Sequence, residues 1–132
     1  MKSSFNIKEA QFFALIKDWA NPNGSMKPLH AYNKLRTWYI REMIMKDDLD
    51  VDLKLKKVLD VGCGGGLLST SLSWLGLNVT GIDPNENCIK ISSENMHESL
   101  KLNFKQAFVE DIQEKYDIVT SMEVIEHVDN QE

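Results

Sequence analysis

Two hydrophobic rhythms divide this chain of 132 residues. In "NIKEAQFFALIKDW" (6–19), Ile7, Ala10, Phe13 or Ala14, and Ile16 or Lys17 recur at helical spacing. Asn6 can cap that helix, and Glu9 stands three residues on, as in a capping box. The run "ANPNGSMKPLH" (20–30) holds two prolines and a glycine and reads as loop. "AYNKLRTWYIREMIM" (31–45) returns to helical spacing, and the polar "KDDLDVDLK" (46–54) reads as a linker. Beyond it the pattern changes. Short β-rich runs at 56–62, 78–83, 103–109 and 116–122 alternate with helical runs at 66–76 and 85–100. Gly76 stands where a helix C-cap is expected. Such alternation predicts parallel βαβ units, with right-handed crossovers placing helices on both sheet faces. The expected fold is α/β: a Rossmann-like, doubly wound, mostly parallel sheet of about four strands, preceded by N-terminal helices. A helical extension (1–55) and the first part of the core (56–132) are the expected units.

Charge sharpens that division. Residues 1–57 carry 11 Lys/Arg against 7 Asp/Glu, whereas residues 58–132 carry 4 Lys against 13 Asp/Glu. The acidic second half argues against nucleic acid as a partner. No apolar run approaches the roughly 20 residues of a membrane span, and the first ten residues have neither a signal-peptide nor a transit-peptide pattern. Cys63 and Cys88 have no metal-ligand spacing, so free thiols and an intracellular setting are expected.

The chemistry starts at "DVGCGGG", Asp60 to Gly66, which follows a strand and opens a helix. Gly62 permits a sharp turn, and Gly64 removes a side chain where a ligand approaches the backbone. The spacing is acid-x-G-x-G-x-G, and Leu67 stands where a dinucleotide G-x-G-x-x-G loop has its last glycine. The Asp60 charge beside the loop suits a ligand with a positive centre and no pyrophosphate, such as S-adenosylmethionine. Asp83 closes the second strand 21 residues after Gly62, where a carboxylate can accept from both ribose hydroxyls.

A second cluster lies in "SMEVIEHVDN" (121–130). On a helix Glu123, Glu126 and His127 share one face and Val124, Ile125 and Val128 the other. This pattern fits a solvated amphipathic turn. Its place after the fourth strand also fits a divalent-cation site, where two carboxylates and an imidazole favour Mg²⁺ or Mn²⁺. His127 acting alone as a general base is the third reading.

"VLDVGCGGG", "GLNVTGID" and "FVEDIQEKYDIVTSMEVIEHV" resemble the class I S-adenosylmethionine-dependent methyltransferases. With "FFALIKDWANPNGSMKPLHAYNKLRTWYI", the chain is similar more narrowly to the ubiquinone-biosynthesis O-methyltransferases, from about residue 7 to 129. That resemblance implies that Arg36, Gly62, Asp83 and Met122 contact the methyl donor, S-adenosyl-L-methionine. Without it, Arg36 reads as a surface charge and Met122 as a core residue. It also implies that Glu123, Glu126 and His127 bind Mg²⁺ or another divalent cation, with His127 the candidate catalytic residue. The implied reaction methylates a phenol or catechol hydroxyl of a polyprenylated ubiquinone precursor, of the demethylubiquinol or polyprenyl-dihydroxybenzoate type. The prenyl tail implies peripheral membrane contact, through apolar residues such as Phe12, Phe13 and Leu15, alongside other quinone-synthesis enzymes. The expected place is the cytoplasmic face of a bacterial inner membrane or the matrix face of a mitochondrial one. The family has an acidic residue where Ala20 stands and often Pro at Lys34, and its sheet runs on for three more strands. Two alternatives follow. One is an RNA 2′-O-methyltransferase with the same E-x-x-E-H cluster, and the other is an inactive truncated chain or partner subunit.

Overall fold

The computed structural model describes residues 17–122. The elements are α1 (Lys27–Met45), a 3-10 turn (Leu53–Leu55), β1 (Lys57–Val61), α2 (Leu67–Trp74), β2 (Asn78–Asp83), α3 (Glu86–Glu94), β3 (Leu102–Gln106), a 3-10 turn (Val109–Asp111) and β4 (Ile118–Thr120). The strands form one parallel sheet in the order β3-β2-β1-β4. This is the expected Rossmann-like topology. The chain steps outward from β1 through β2 to β3, then returns to the far side of β1 as β4. The reversal leaves a crevice at the carboxyl ends of β1 and β4, the place where such sheets bind ligands.

Every predicted strand is present, and the helix boundaries move for local reasons. The described end of the 6–19 run, Lys17–Trp19, is coil and turn, and the rest of that run lies outside the described residues. α1 begins at Lys27, inside the segment expected to be loop. Pro28 sits in its first turn, where a fixed φ favours the helix and a missing N–H costs nothing. α3 stops at Glu94, because the Asn95 side chain donates to the Ile91 carbonyl at 2.9 Å and closes the last turn. Gly76 has φ 100°, which an L side chain adopts only with strain, and so ends the α2 segment as expected.

Among the described residues both inter-strand helices lie on one sheet face, and not on both as expected, because β2 and β3 are added in one direction from β1. Val58, Val79 and Leu102 form one row across that face, and Asp60, Gly81 and Phe104 the next. Leu68 and Leu72 of α2 and Ile40 of α1 close the apolar core over them. Gly81 is small because the Phe104 ring and the Ser69 hydroxyl occupy the space above it. α1 is fastened to α2 by Asn33, whose amide donates to Ser71 Oγ at 2.7 Å and to the Leu67 carbonyl at 3.4 Å.

Asp60 is the polar exception in this core. It is 3% exposed. Ser69 Oγ of α2 donates to its Oδ2 at 2.5 Å, and Thr120 Oγ1 of β4 donates to its Oδ1 at 2.8 Å. One carboxylate therefore ties β1 to a helix and to the neighbouring strand. Burial pushes its pKa up. The Ser69 and Thr120 hydroxyls and the Arg36 charge oppose that rise, and Asp83 adds to it. A group with a raised folded pKa contributes most to stability below its unfolded value and loses that contribution as pH rises through the folded value. Removing a donor deepens the cost of the charged form alone. Thr120→Val should therefore destabilise the chain by about 2 kcal/mol near pH 7, the scale of a hydrogen bond to a charged group. The loss should shrink towards pH 4, as Asp60 takes up a proton. Urea unfolding at the two pH values checks this, and an equal loss at both would assign the effect to packing.

Candidate functional site

The site is built around the turn from β1 into α2. Gly62 and Cys63 both donate their backbone N–H to the Ile82 carbonyl, at 2.8 and 2.9 Å, so the loop is pinned to the end of β2. Gly62, Gly64 and Gly66 have φ of 71°, 54° and 85°. The alternating glycines are therefore needed by the backbone itself, whatever ligand approaches. Gly66 is the residue before α2, and a Cβ there would collide with the Phe104 ring.

Asp83 stands opposite the loop. Its Oδ2 accepts from Gly64 N at 3.1 Å and its Oδ1 from Asn85 N at 2.9 Å. Burial pushes its pKa up, and the Asn85 and Gly64 N–H groups pull the other way. Each oxygen receives one backbone donor in this arrangement, which leaves each with further acceptor capacity. Asn85 in turn caps α3, accepting from Asn87 N at 3.0 Å. Two buried thiols flank these acids. Burial first, then the Asp60 and Asp83 charges, raise the Cys63 pKa well above its usual range, and burial with the Asp83 charge pushes Cys88 up to about 12. Both are free thiols, as expected, and both are held neutral rather than activated.

The expected donor-site residues come from four elements. Gly62 and Asp83 meet across the loop. Arg36, on α1, is close enough to Asp60 for its charge to oppose the rise that burial imposes on that carboxyl. Met122, two residues past β4, packs against the apolar core while remaining partly exposed. Asp60 differs from expectation. Its charge faces inward to Ser69 and Thr120 rather than outward beside the loop. Glu123, Glu126 and His127 lie outside the described residues. Among the described residues no group of three His, Cys, Asp or Glu side chains could hold a metal ion.

One contributor was missed by the pattern along the chain. Trp19 is 4% exposed and lies flat against the glycine loop. A Cβ on Gly65 would overlap its indole, and one on Gly64 would stand 3.1 Å from its Cη2. The signal available in the sequence was a tryptophan beside a Pro-Gly turn, paired with three consecutive glycines, Gly64 to Gly66.

Comparison with known proteins fits this geometry. A family described as a methyltransferase domain matches residues 29–132. The ubiquinone biosynthesis O-methyltransferase of Pelagibacter ubique is 40% identical over 97% of this chain and 57% of that protein. That of Coxiella burnetii is 42% identical over 90% of this chain and 50% of that protein. The chain thus spans about half the length of these curated relatives. In structure it is similar to the magnesium protoporphyrin IX methyltransferase of Synechocystis with bound SAM, at a TM-score of 0.71 and 21% identity, covering 92% of this chain and 63% of that one. The plantazolicin methyltransferase BpumL is similar at a TM-score of 0.63 and 20% identity, covering 95% and 52%. These two likenesses show a shared fold. The family match takes in the glycine loop, Asp60, Asp83 and β4, and the chain belongs to the methyltransferase-domain family.

Proposed function

We propose that this chain works as an S-adenosylmethionine-dependent O-methyltransferase on a phenol or catechol hydroxyl of a polyprenylated ubiquinone precursor. The observation that carries the reading is the Asp83 carboxylate. It is partly buried, held by two backbone N–H groups, and set at the mouth of a positive-φ glycine loop. A partly buried acceptor with capacity left on both oxygens suits the two hydroxyls of a ribose. Arg36 supplies a guanidinium fork for the donor's carboxylate. Gly62 lets backbone approach the donor, and Met122 packs beside its adenosine or methyl group. The substrate class rests on the relatives at 40% and 42% identity, whose names give ubiquinone biosynthesis and O-methylation.

The acceptor hydroxyl must lose its proton before it attacks, to water or to the His127 imidazole where that is not holding an ion, and a phenol near pKa 10 holds that proton at neutral pH. Two carboxylates and an imidazole at Glu123, Glu126 and His127 form an oxygen-rich donor set suited to Mg²⁺ or another divalent cation. Such an ion supplies charge that stabilises the phenolate. Its oxygen displaces the sulfur in line at the methyl carbon. The C–O bond forms as the C–S bond breaks, and the electron pair leaves on sulfur. The fold's part is alignment: Arg36 and Asp83 would hold the donor on either side of its sulfonium, by the carboxylate and by the ribose, and so would fix where the methyl group sits relative to the crevice between β1 and β4.

A prenylated substrate places the reaction at a membrane surface, on the inner-membrane faces named above. No described helix is long and apolar enough to cross a bilayer. α1 instead supports peripheral contact. Tyr32, Leu35, Trp38, Tyr39 and Met43 project from one side of it, each at least half exposed, beside the exposed Lys27 and Lys34. Aromatic and aliphatic side chains flanked by lysines suit an anionic interface. The expected Phe12, Phe13 and Leu15 contact lies outside the described residues.

Three outcomes test these readings. Calorimetric titration with S-adenosylhomocysteine should give micromolar binding, and Asp83→Asn should weaken it tenfold or more, the scale of a hydrogen bond to a charged group. An unaltered Kd in folded Asp83→Asn removes the ribose role. Methyl transfer to a catechol should require Mg²⁺. Glu126→Gln should abolish both that requirement's calorimetric Mg²⁺ signal and turnover, while S-adenosylhomocysteine still binds; an intact Mg²⁺ signal in the variant places the ion elsewhere. The chain should sediment with vesicles containing phosphatidylglycerol, and Leu35→Glu with Tyr39→Glu should release it. Equal sedimentation of the double variant rules α1 out as the contact.

A further inference from the structure

We propose that Trp19 is a positioning residue of the donor site: its indole, carried on backbone that His30 fastens to α1, holds the Gly64–Gly65 backbone in the shape that receives the donor. The inference rests on the donor-site reading above and adds a wall to that site.

The first observation is what the indole packs on. Trp19 is buried, yet among the described residues it is not part of the apolar cluster that Ile40, Val58, Leu72 and Phe104 form with their neighbours. Its ring lies on backbone instead, over Gly64 and Gly65. Gly65 does not have a positive φ, so no conformational demand of its own explains a glycine there. Space for the indole does.

The second observation is how the indole is held. Asp18 Oδ2 accepts from Ser25 N at 2.9 Å and from Ser25 Oγ at 3.2 Å, folding residues 18–25 into a closed loop. The Ser25 backbone N–H keeps the Asp18 carboxyl below its ordinary range. Gly24 has no room for a side chain beneath Asp18. A His30 ring nitrogen donates to the Trp19 carbonyl at 2.7 Å, which fixes the tryptophan to the first turn of α1. α1 is itself fastened to the head of α2 through Asn33. Trp19 thus reaches the glycine loop from a segment fastened to the same helix that carries Arg36. The indole sets the face of the loop, and the Gly64 N–H on that loop orients Asp83.

A merely structural indole would affect stability and leave affinity alone. The test therefore measures both. Trp19→Ala should weaken S-adenosylhomocysteine binding tenfold or more at a temperature where urea unfolding shows it folded, and Trp19→Phe should stay within about threefold of the parent. Gly65→Ala should weaken binding in the parent and lose most of that effect in the Trp19→Ala background, because the overlapping ring is gone. The chain has three tryptophans, and Trp38 and Trp74 are exposed. With both replaced by Phe, Trp19 emission should shift saturably as S-adenosylhomocysteine is added. This last measurement decides the matter if Trp19→Ala does not fold. Binding by calorimetry with a flat Trp19 emission and a folded Trp19→Ala of parental affinity overturns the inference and leaves the donor site standing. Absence of binding by the parent chain overturns the donor-site reading and the inference with it.

Discussion

A carboxylate in a sheet interior is tolerated where donors answer both its oxygens, and at Asp60 those donors come from two other elements, one nine residues on and one sixty. Ser69 lies in the first turn of α2, and Thr120 is the last residue of β4. Their hydroxyls fix the helix and the strand against β1 at the level where the sheet's carboxyl edge begins. The glycine loop is the connection between two of these fixed pieces, so its endpoints are set before its own conformation is considered. The chain beyond Thr120, which carries Met122, leaves from the third. Asp117 repeats the device at the opposite end of β4, accepting from Lys57 N at 2.8 Å. A three-residue strand has few ladder bonds, and these two acids bracket it.

The loop's polar groups are spent in a definite order. Gly62 and Cys63 turn inward to the Ile82 carbonyl, which joins β1 to β2 past the end of their ladder. Gly64 turns the other way, to Asp83. The loop thus orients the acid that a ribose would meet, and the acid in turn holds the loop. Burial works against the charge on Asp83, yet it also strengthens any hydrogen bond a ligand makes there, because water competes poorly. Cost and function have the same physical source.

Much of this was legible in the chain because it is local. Alternating helical and β-rich runs gave the element order, since burying one face imposes a period on each. The glycine loop and Asp83 were legible because backbone geometry restricts residue type at those positions. The start of α1 was not, because proline is both a loop former and a first-turn residue, and only the partner helix decides which. In the sequence Asp60 reads as an acid beside a loop, but the direction of its side chain depends on Ser69 and Thr120, nine and sixty residues away. Trp19 was hidden for the same reason. Its partner is a stretch of backbone 45 residues on, and apolar periodicity carries no information about a ring that packs on glycine.

That pairing changes what the glycine tract means. A glycine-rich turn before a helix is ordinarily explained by the ligand, which needs bare backbone to approach. Here the demands separate by position. Gly62, Gly64 and Gly66 answer a backbone that enters the left-handed region, and Gly66 also makes room for Phe104. Gly65 answers Trp19. The loop is therefore shaped from two sides, by the sheet beneath it and by a segment that precedes β1 by nearly forty residues. A binding loop fixed only at its ends would have to be ordered by its ligand, with the entropy of ordering set against affinity. One already pressed between a sheet and an indole meets the ligand with that cost largely met by folding. The front segment, which looks in the sequence like an appendage to a nucleotide-type fold, then belongs to the site as much as the glycines do.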